Sequence, residues 1–102
     1  MDEKIITREQ IVDFKKYLYE EERSKNTVEK YLRYIRHFLK SIGQKNLQKA
    51  DVLEYKQRLC EMYAPRSVNS MLSSLNAFFA FAKWHELKVK TLKIQKQIFA
   101  DK

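Results

Sequence analysis

Two runs of this chain carry side chains fit for chemistry, and that chemistry is the gripping of a polyanion. The first, S-K-N-T-V-E-K-Y-L-R-Y-I-R-H-F, covers residues 24–38. On a helical projection Lys30 and His37 lie nearly opposite its apolar stripe, and Arg33, Arg36 and Lys40 flank the same solvent side. The second, R-S-V-N-S-M-L-S-S-L-N-A-F-F, begins at Arg66 and sets Arg66, Ser70, Ser73 and Ala77 opposite its own core stripe. Small hydroxyl residues let a helix approach a phosphate backbone closely. Arg66 adds charge in the first turn, where a helix N-terminus already attracts an anion. The same small residues also suit close packing of another helix, so the second run reads two ways.

The charge distribution favours the polyanion. The chain has 102 residues and a formal net charge of +8. Residues 1–22 hold four Lys/Arg and seven Asp/Glu, whereas residues 23–49 hold eight Lys/Arg against Glu29 alone. Residues 50–82 balance three against three, and residues 83–102 carry six Lys and two acids. An ordinary solvated face mixes its signs. An excess confined to one helix, its following loop and the C-terminal tail is the footprint of a polyanionic partner.

Other chemistries lack their residues. His37 and His85 are isolated from each other and from Cys60, the one cysteine, so no metal constellation or internal disulfide is expected. A single Gly leaves no loop to cradle a nucleotide, and no cofactor is expected. Neither His has a nucleophile motif beside it. Glu20, Glu21 and Glu22 read as a solvated helix end that wants a basic neighbour, such as Arg23 or Lys25. Cys60 falls on the apolar side of its helix and reads as an inert core residue. Phe78, Phe79, Phe81 and Trp84 could stack on unpaired bases, but at helical spacing they read as core. No secretory signal is expected, since residues 1–11 lack a long apolar run, and no apolar run is long enough to span a membrane. The expected location is the cytoplasm, which a chain with one Cys fits.

Four helices must position these groups. Thr7 opens the first with a T-R-E-Q capping box, and Ile11, Phe14, Leu18 and Tyr17 recur at helical spacing. Ser24 is the preferred N-cap of the second helix. Its stripe is Val28, Leu32, Ile35, Leu39 and Ile42, flanked by Tyr31 and Phe38, and Gly43 stops it. After a linker at residues 44–49, with Leu47 tucked inward, the third helix is predicted over residues 50–63. Val52, Tyr55, Leu59 and Cys60, with Met62 or Tyr63, form its buried side. Pro65 starts the fourth helix, where its fixed φ suits the first turn. Val68, Met71, Leu72, Leu75, Phe78, Phe79 and Ala82 make its core face, and His85 and Glu86 end it. Residues 87–102 carry a weaker pattern through Leu92, Ile94, Ile98 and Phe99. The expected fold class is all-α: a four-helix orthogonal bundle with a C-terminal tail or short fifth helix. Residues 1–87 form the domain and residues 88–102 a basic linker or short helix.

The first run resembles the N-terminal core-binding domain of tyrosine recombinases, the phage integrase family. A Ser-x-x-Thr precedes a helix, with a Tyr four residues after the Thr; Ser24, Thr27, Tyr31, Ile35 and Phe38 stand at those places. Ser67, Val68, Asn69, Leu72, Ser73, Leu75, Phe78 and Phe79 are similar in kind to the family's fourth helix, and the likeness covers about residues 5–95. The resemblance implies a SAM-like bundle that grips one side of duplex DNA while a C-terminal catalytic domain grips the other. It points to Ser24, Lys25, Asn26, Thr27, Lys30, Arg33, Tyr34 and His37 on the second helix as DNA-binding residues. On the fourth it points to Arg66, Ser67, Asn69, Ser70 and Ser73. Many relatives carry Arg or Lys where Ser70, Met71 and Asn76 stand, which predicts weaker binding by that helix. The family's Arg, His-x-x-Arg and Tyr chemistry has no counterpart here, so no catalytic residue is expected in this chain.

The reading is therefore a duplex-DNA-binding domain of a site-specific recombinase, bacterial or encoded by a phage or mobile element. The residues are expected to be one domain of a longer parent protein, with an orphan copy of that domain as the alternative. The implied partners are duplex DNA, the parent's catalytic domain and other recombinase protomers, with no membrane. Two alternatives are a helical protein-interaction module and a general nucleic-acid-binding bundle.

Overall fold

Start and stop chemistry decides where the chain turns helical. The computed structural model describes residues 3–93. Among them are four α-helices, α1 Arg8–Glu20, α2 Lys25–Ile42, α3 Lys49–Met62 and α4 Pro65–Phe81, followed by a 3₁₀ turn His85–Leu87. There is no strand among the described residues.

Each start is made by the side chains at hand. Thr7 accepts from the Gln10 N–H, and the Gln10 side chain accepts from the Thr7 N–H, closing the capping box. Ser24 caps α2 by accepting from the Thr27 N–H at 3.2 Å. Asp51, three residues into α3, accepts from the Gln48 N–H at 2.9 Å and pairs with Lys45 at 2.9 Å. The Lys45 ammonium, then the Gln48 N–H, hold the Asp51 carboxyl below its ordinary pKa. Pro65 occupies the first turn of α4.

The stops divide into two kinds. Gly43, at φ 86°, ends α2. The ends of α1 and α4 turn at positive φ without a glycine, one residue past the cap: Glu22 and Lys83 both sit at φ 63°. At each, a backbone N–H reaches back five residues, from Arg23 to the Leu18 carbonyl and from Trp84 to the Phe79 carbonyl. These bonds hold non-glycine residues in a region costing about 1–2 kcal/mol. Helix α4 accordingly stops at Phe81, before the predicted end at His85 and Glu86.

The core is one cluster with α4 at its centre. Val68, Met71, Leu72, Ser74, Leu75, Phe78 and Phe79 of α4 are buried. They meet Phe14 and Leu18 of α1, Val28, Leu32, Ile35 and Phe38 of α2, and Val52, Tyr55 and Leu59 of α3. Phe78 stands edge-on to Phe14, and Phe38 edge-on to both Tyr55 and Phe79. Leu47 is buried as predicted. On α2, Phe38 is buried while Leu39 and Ile42 are half-covered, because the seam lies a little toward α3. Cys60 is exposed, which corrects its predicted burial. The buried side of α3 runs through positions 52, 55 and 59, and one further residue turns a side chain about 100° away. Met62 and Tyr63 are likewise outside the core. Phe81 and Trp84 pack partly buried against it, so the aromatic run is core as predicted.

After the 3₁₀ turn, residues 88–93 are extended and pinned into the bundle. The Asn69 amide donates to the Leu92 carbonyl at 2.8 Å and accepts the Leu92 N–H at 2.6 Å. Asn76 treats Val89 in the same way, at 2.7 and 3.0 Å. From α3, Lys49 and Lys56 donate to the carbonyls of Lys88 and Lys90. Val89 is buried and Leu92 partly so. Seven helical residues rise about 10.5 Å, and three extended residues span about 10 Å, so the two asparagines meet alternate ends of the same short segment. The predicted tail residues Ile94, Ile98 and Phe99 lie outside the described residues.

Two outcomes follow for thermal unfolding. Asn76→Ala leaves the buried Val89 backbone without its donor and acceptor, and should lower stability by about 1–3 kcal/mol; hydrogen exchange should rise at the Val89 amide. Lys83→Gly removes the side chain from a left-handed position, and should raise the midpoint with a gain of up to about 1 kcal/mol.

Candidate nucleic-acid interface

Helix α2 exposes charge because its core stripe claims only one side. Lys25, Arg33, Arg36 and Lys40 are exposed and Lys30 is half-buried. None of these five pairs with a carboxylate among the described residues, where the ion pairs are Lys4–Glu86, Lys45–Asp51 and Arg58–Glu54. Arg33 lies over the Tyr34 ring, 5.4 Å from its centroid, and Arg23 over Tyr31 at 5.9 Å. An arginine stacked on a ring keeps its edge N–H groups free to donate.

The cations divide between two flanks. Lys25, Arg33 and Arg36 line a groove against Lys15 and Tyr19 of α1, with Glu29 its single acid. Arg36 also borders a second hollow with Arg8, Ile11 and Val12 of α1. Reading the sequence by segment charge missed Arg8 and Lys15, since residues 1–22 are net acidic. The signal was their seven-residue spacing, which puts both on one face of α1. On the other flank, Lys30, Tyr34 and His37 recur at helical spacing and are all half-buried. The sequence placed Lys30 and His37 at the most open position. In the structure Arg33 and Arg36 are more open, because α3 packs beside the other flank.

His37 shows that coverage directly. Its Nδ1 lies 2.6 Å from the hydroxyl of Tyr55, a buried residue of α3. Tyr63, at the corner between α3 and α4, stands edge-on to the same imidazole with centroids 6.2 Å apart. The corner brings the start of α4, with exposed Arg66 and Ser67, toward the middle of α2.

The remaining predicted residues have diverse settings. Asn26 is exposed at the start of α2. The Ser24 hydroxyl, besides capping, donates to Thr27 Oγ1 at 3.0 Å, so these two hydroxyls serve the helix start. Ser73 is exposed and Ser70 half-buried. Asn69 has another task, since both ends of its amide hold Leu92. It lies on the flank of α4 that the tail covers, bordering the Arg66, Ser70, Ser73 line. The buried serine of α4 is Ser74, whose hydroxyl donates to the Ser70 carbonyl at 3.0 Å. Glu20, Glu21 and Glu22 form no ion pair among the described residues, and the predicted basic neighbour is not met.

The family described as phage integrase, N-terminal SAM-like domain, matches residues 11–86. The chain belongs to that family. Compared with curated proteins, it finds no match. The four-helix bundle is thus an integrase SAM-like domain, and the match runs from within α1 into the 3₁₀ turn. Among the described residues the domain has no group of three or more His, Cys, Asp or Glu able to hold a metal. None of its described helices is long and apolar enough to cross a membrane.

Neighbouring serines of the domain offer a test of which side of α4 is free. Ser73→Leu should change stability by less than about 0.5 kcal/mol, as exposed sites do. Ser74→Leu should overfill the core and cost roughly 1–3 kcal/mol. Thermal unfolding of the two variants distinguishes an open Ser73 face from a packed one.

Proposed function

We propose that this domain binds duplex DNA as the core-binding part of a site-specific tyrosine recombinase. The observation that carries the reading is the set of α2 cations without carboxylate partners. Five positive groups on one helix repel one another unless a polyanion neutralises them. Lys25, Lys30, Arg33, Arg36 and Lys40 would contact phosphates, aided by Lys15 across the groove. Asn26, Tyr34, His37, Ser24 and Thr27 border them. Arg66 and Ser67 at the start of α4, with Ser70 and Ser73 further along it, extend the surface. Contacts of this kind set position and orientation and carry little sequence information.

In this reading the domain supplies grip and no chemistry. Strand cleavage belongs to a catalytic domain of the parent protein, which closes on the opposite side of the duplex. That domain and other protomers assembled on DNA are the protein partners, in the cytoplasm of a bacterium.

A salt titration tests the reading. The domain should bind duplex DNA with Kd on the order of 10⁻⁴–10⁻⁶ M near physiological salt, weakening as salt rises. Lys30→Ala with Arg33→Ala should lower the affinity and reduce the slope of log K against log salt by about 1.8. Their unfolding transition should stay within about 0.5 kcal/mol of the parent. Affinity that ignores salt would count against phosphate contact. Absence of duplex binding at low salt would favour a protein-interaction module, and preference for RNA a general nucleic-acid binder.

A further inference from the structure

The contact between His37 and Tyr55 joins a side chain of the proposed DNA face to the buried core. The Tyr55 ring is fixed there by its edge-on contact with Phe38, at 4.9 Å between centroids. Among the described residues its hydroxyl has one hydrogen-bond partner, His37 Nδ1 at 2.6 Å. Two arrangements fit the distance. If Nδ1–H donated, the phenol proton would have no acceptor inside the protein. Buried polar groups are rarely left so. If the phenol donates, both groups are satisfied. Burial, then the nearby Tyr63, raises the Tyr55 pKa above the ordinary phenol range, so the hydroxyl keeps the proton it donates.

The consequence lies on the far side of the imidazole. A neutral ring that accepts at Nδ1 carries its proton on Nε2. Nε2 makes no hydrogen bond to protein among the described residues. Tyr63, edge-on at 73°, restricts rotation of the ring.

We propose that Tyr55 is a positioning residue, orienting His37 so that Nε2–H stands as an uncharged donor to a phosphate oxygen of bound duplex DNA. The proposal rests on the DNA-binding reading. It gives α3 a part in recognition without contact of its own. The donor differs in kind from the lysines and arginines around it. It releases no counterion, so it adds affinity that salt does not remove. It also has a fixed direction, which a flexible ammonium lacks.

The test compares the parent, Tyr55→Phe, His37→Ala and the double variant at about pH 8, above the ordinary imidazole range. Tyr55→Phe keeps the ring against Phe38 and removes only the hydroxyl. In the parent, nitrogen NMR should show His37 Nδ1 unprotonated and coupled to a slowly exchanging Tyr55 hydroxyl proton, with Nε2 protonated. Duplex Kd should rise about three- to tenfold in Tyr55→Phe, the range for one neutral hydrogen bond. The rise should be uniform across duplex sequences and leave the salt slope unchanged. His37→Ala should lose as much, and the double variant no more than His37→Ala. A protonated Nδ1 in the parent overturns the proposal, as does a Tyr55→Phe variant that binds like the parent, or losses that add. A sequence-dependent loss overturns the phosphate assignment. If Tyr55→Phe does not fold, the parent spectrum and His37→Ala decide, and unchanged affinity in His37→Ala overturns it. A parent that binds no duplex overturns the DNA reading and this contact together. A parent that binds with the salt slope expected, beside an inert Tyr55→Phe, overturns the positioning alone.

Discussion

The burial of α4 is the constraint on which the rest depends. A helix buried at seven positions, two of them phenylalanines in sequence, needs apolar neighbours on several sides. Helix α1 meets it through Phe14, α2 through Phe38, and the α3 side is closed by Tyr55 and Leu59. Fully burying a side chain of this size contributes about 1.5–3 kcal/mol, so these contacts set the arrangement of the other three helices. The one buried polar side chain of the helix, Ser74, bonds its own backbone and so requires nothing of its neighbours.

That constraint also decides where charge can go. Helix α4 has room for one cation, Arg66, at its first turn. Helix α2 buries a stripe of Val28, Leu32, Ile35 and Phe38, half-covers its flanks, and leaves Lys25, Arg33, Arg36 and Lys40 open. The positive field therefore collects on α2, and no carboxylate of α1 or α3 folds back onto it. Three ion pairs form among the described residues, and all lie off α2: Lys45 with Asp51, Arg58 with Glu54, Lys4 with Glu86. Exposed ion pairs contribute little to stability. Leaving α2 unpaired costs the fold almost nothing and keeps its cations available.

Local signals carried most of the fold from the sequence. Thr7 with Gln10, Ser24 with Thr27, Gly43 and Pro65 each act within a few residues, and each did in the structure what its type predicts. The misreadings share a different character. Cys60 is turned off the buried side of α3 by one residue's rotation after Leu59, and Met62 lies past the last buried residue of that helix. The end of α4 was hidden because Lys83 takes a position that glycine usually marks. The bond of Asn69 to the tail was not legible, because a polar side chain on a helix flank does not announce its partner. Its partner is twenty-three residues away, in a segment with weak periodicity of its own. The basic character of α2 was legible, but its division into an α1 flank and an α3 flank was not.

The asparagine pair shows what such distant bonds add. An extended segment beside a helix has backbone groups at the wrong spacing for a ladder, and the helix's own N–H and C=O groups are already used. A side-chain amide offers one donor and one acceptor, as a peptide does. Asn69 and Asn76 thus stand in for two peptides of a neighbouring strand, with Lys49 and Lys56 taking carbonyls of the same segment from α3. Four side chains from two helices fix six residues that have little apolar surface to bury. The path of the chain on leaving the bundle is therefore set by hydrogen bonds, and it runs back toward the start of α4, where Arg66 lies. Along that path the side chains of Lys88, Lys90 and Lys93 are exposed.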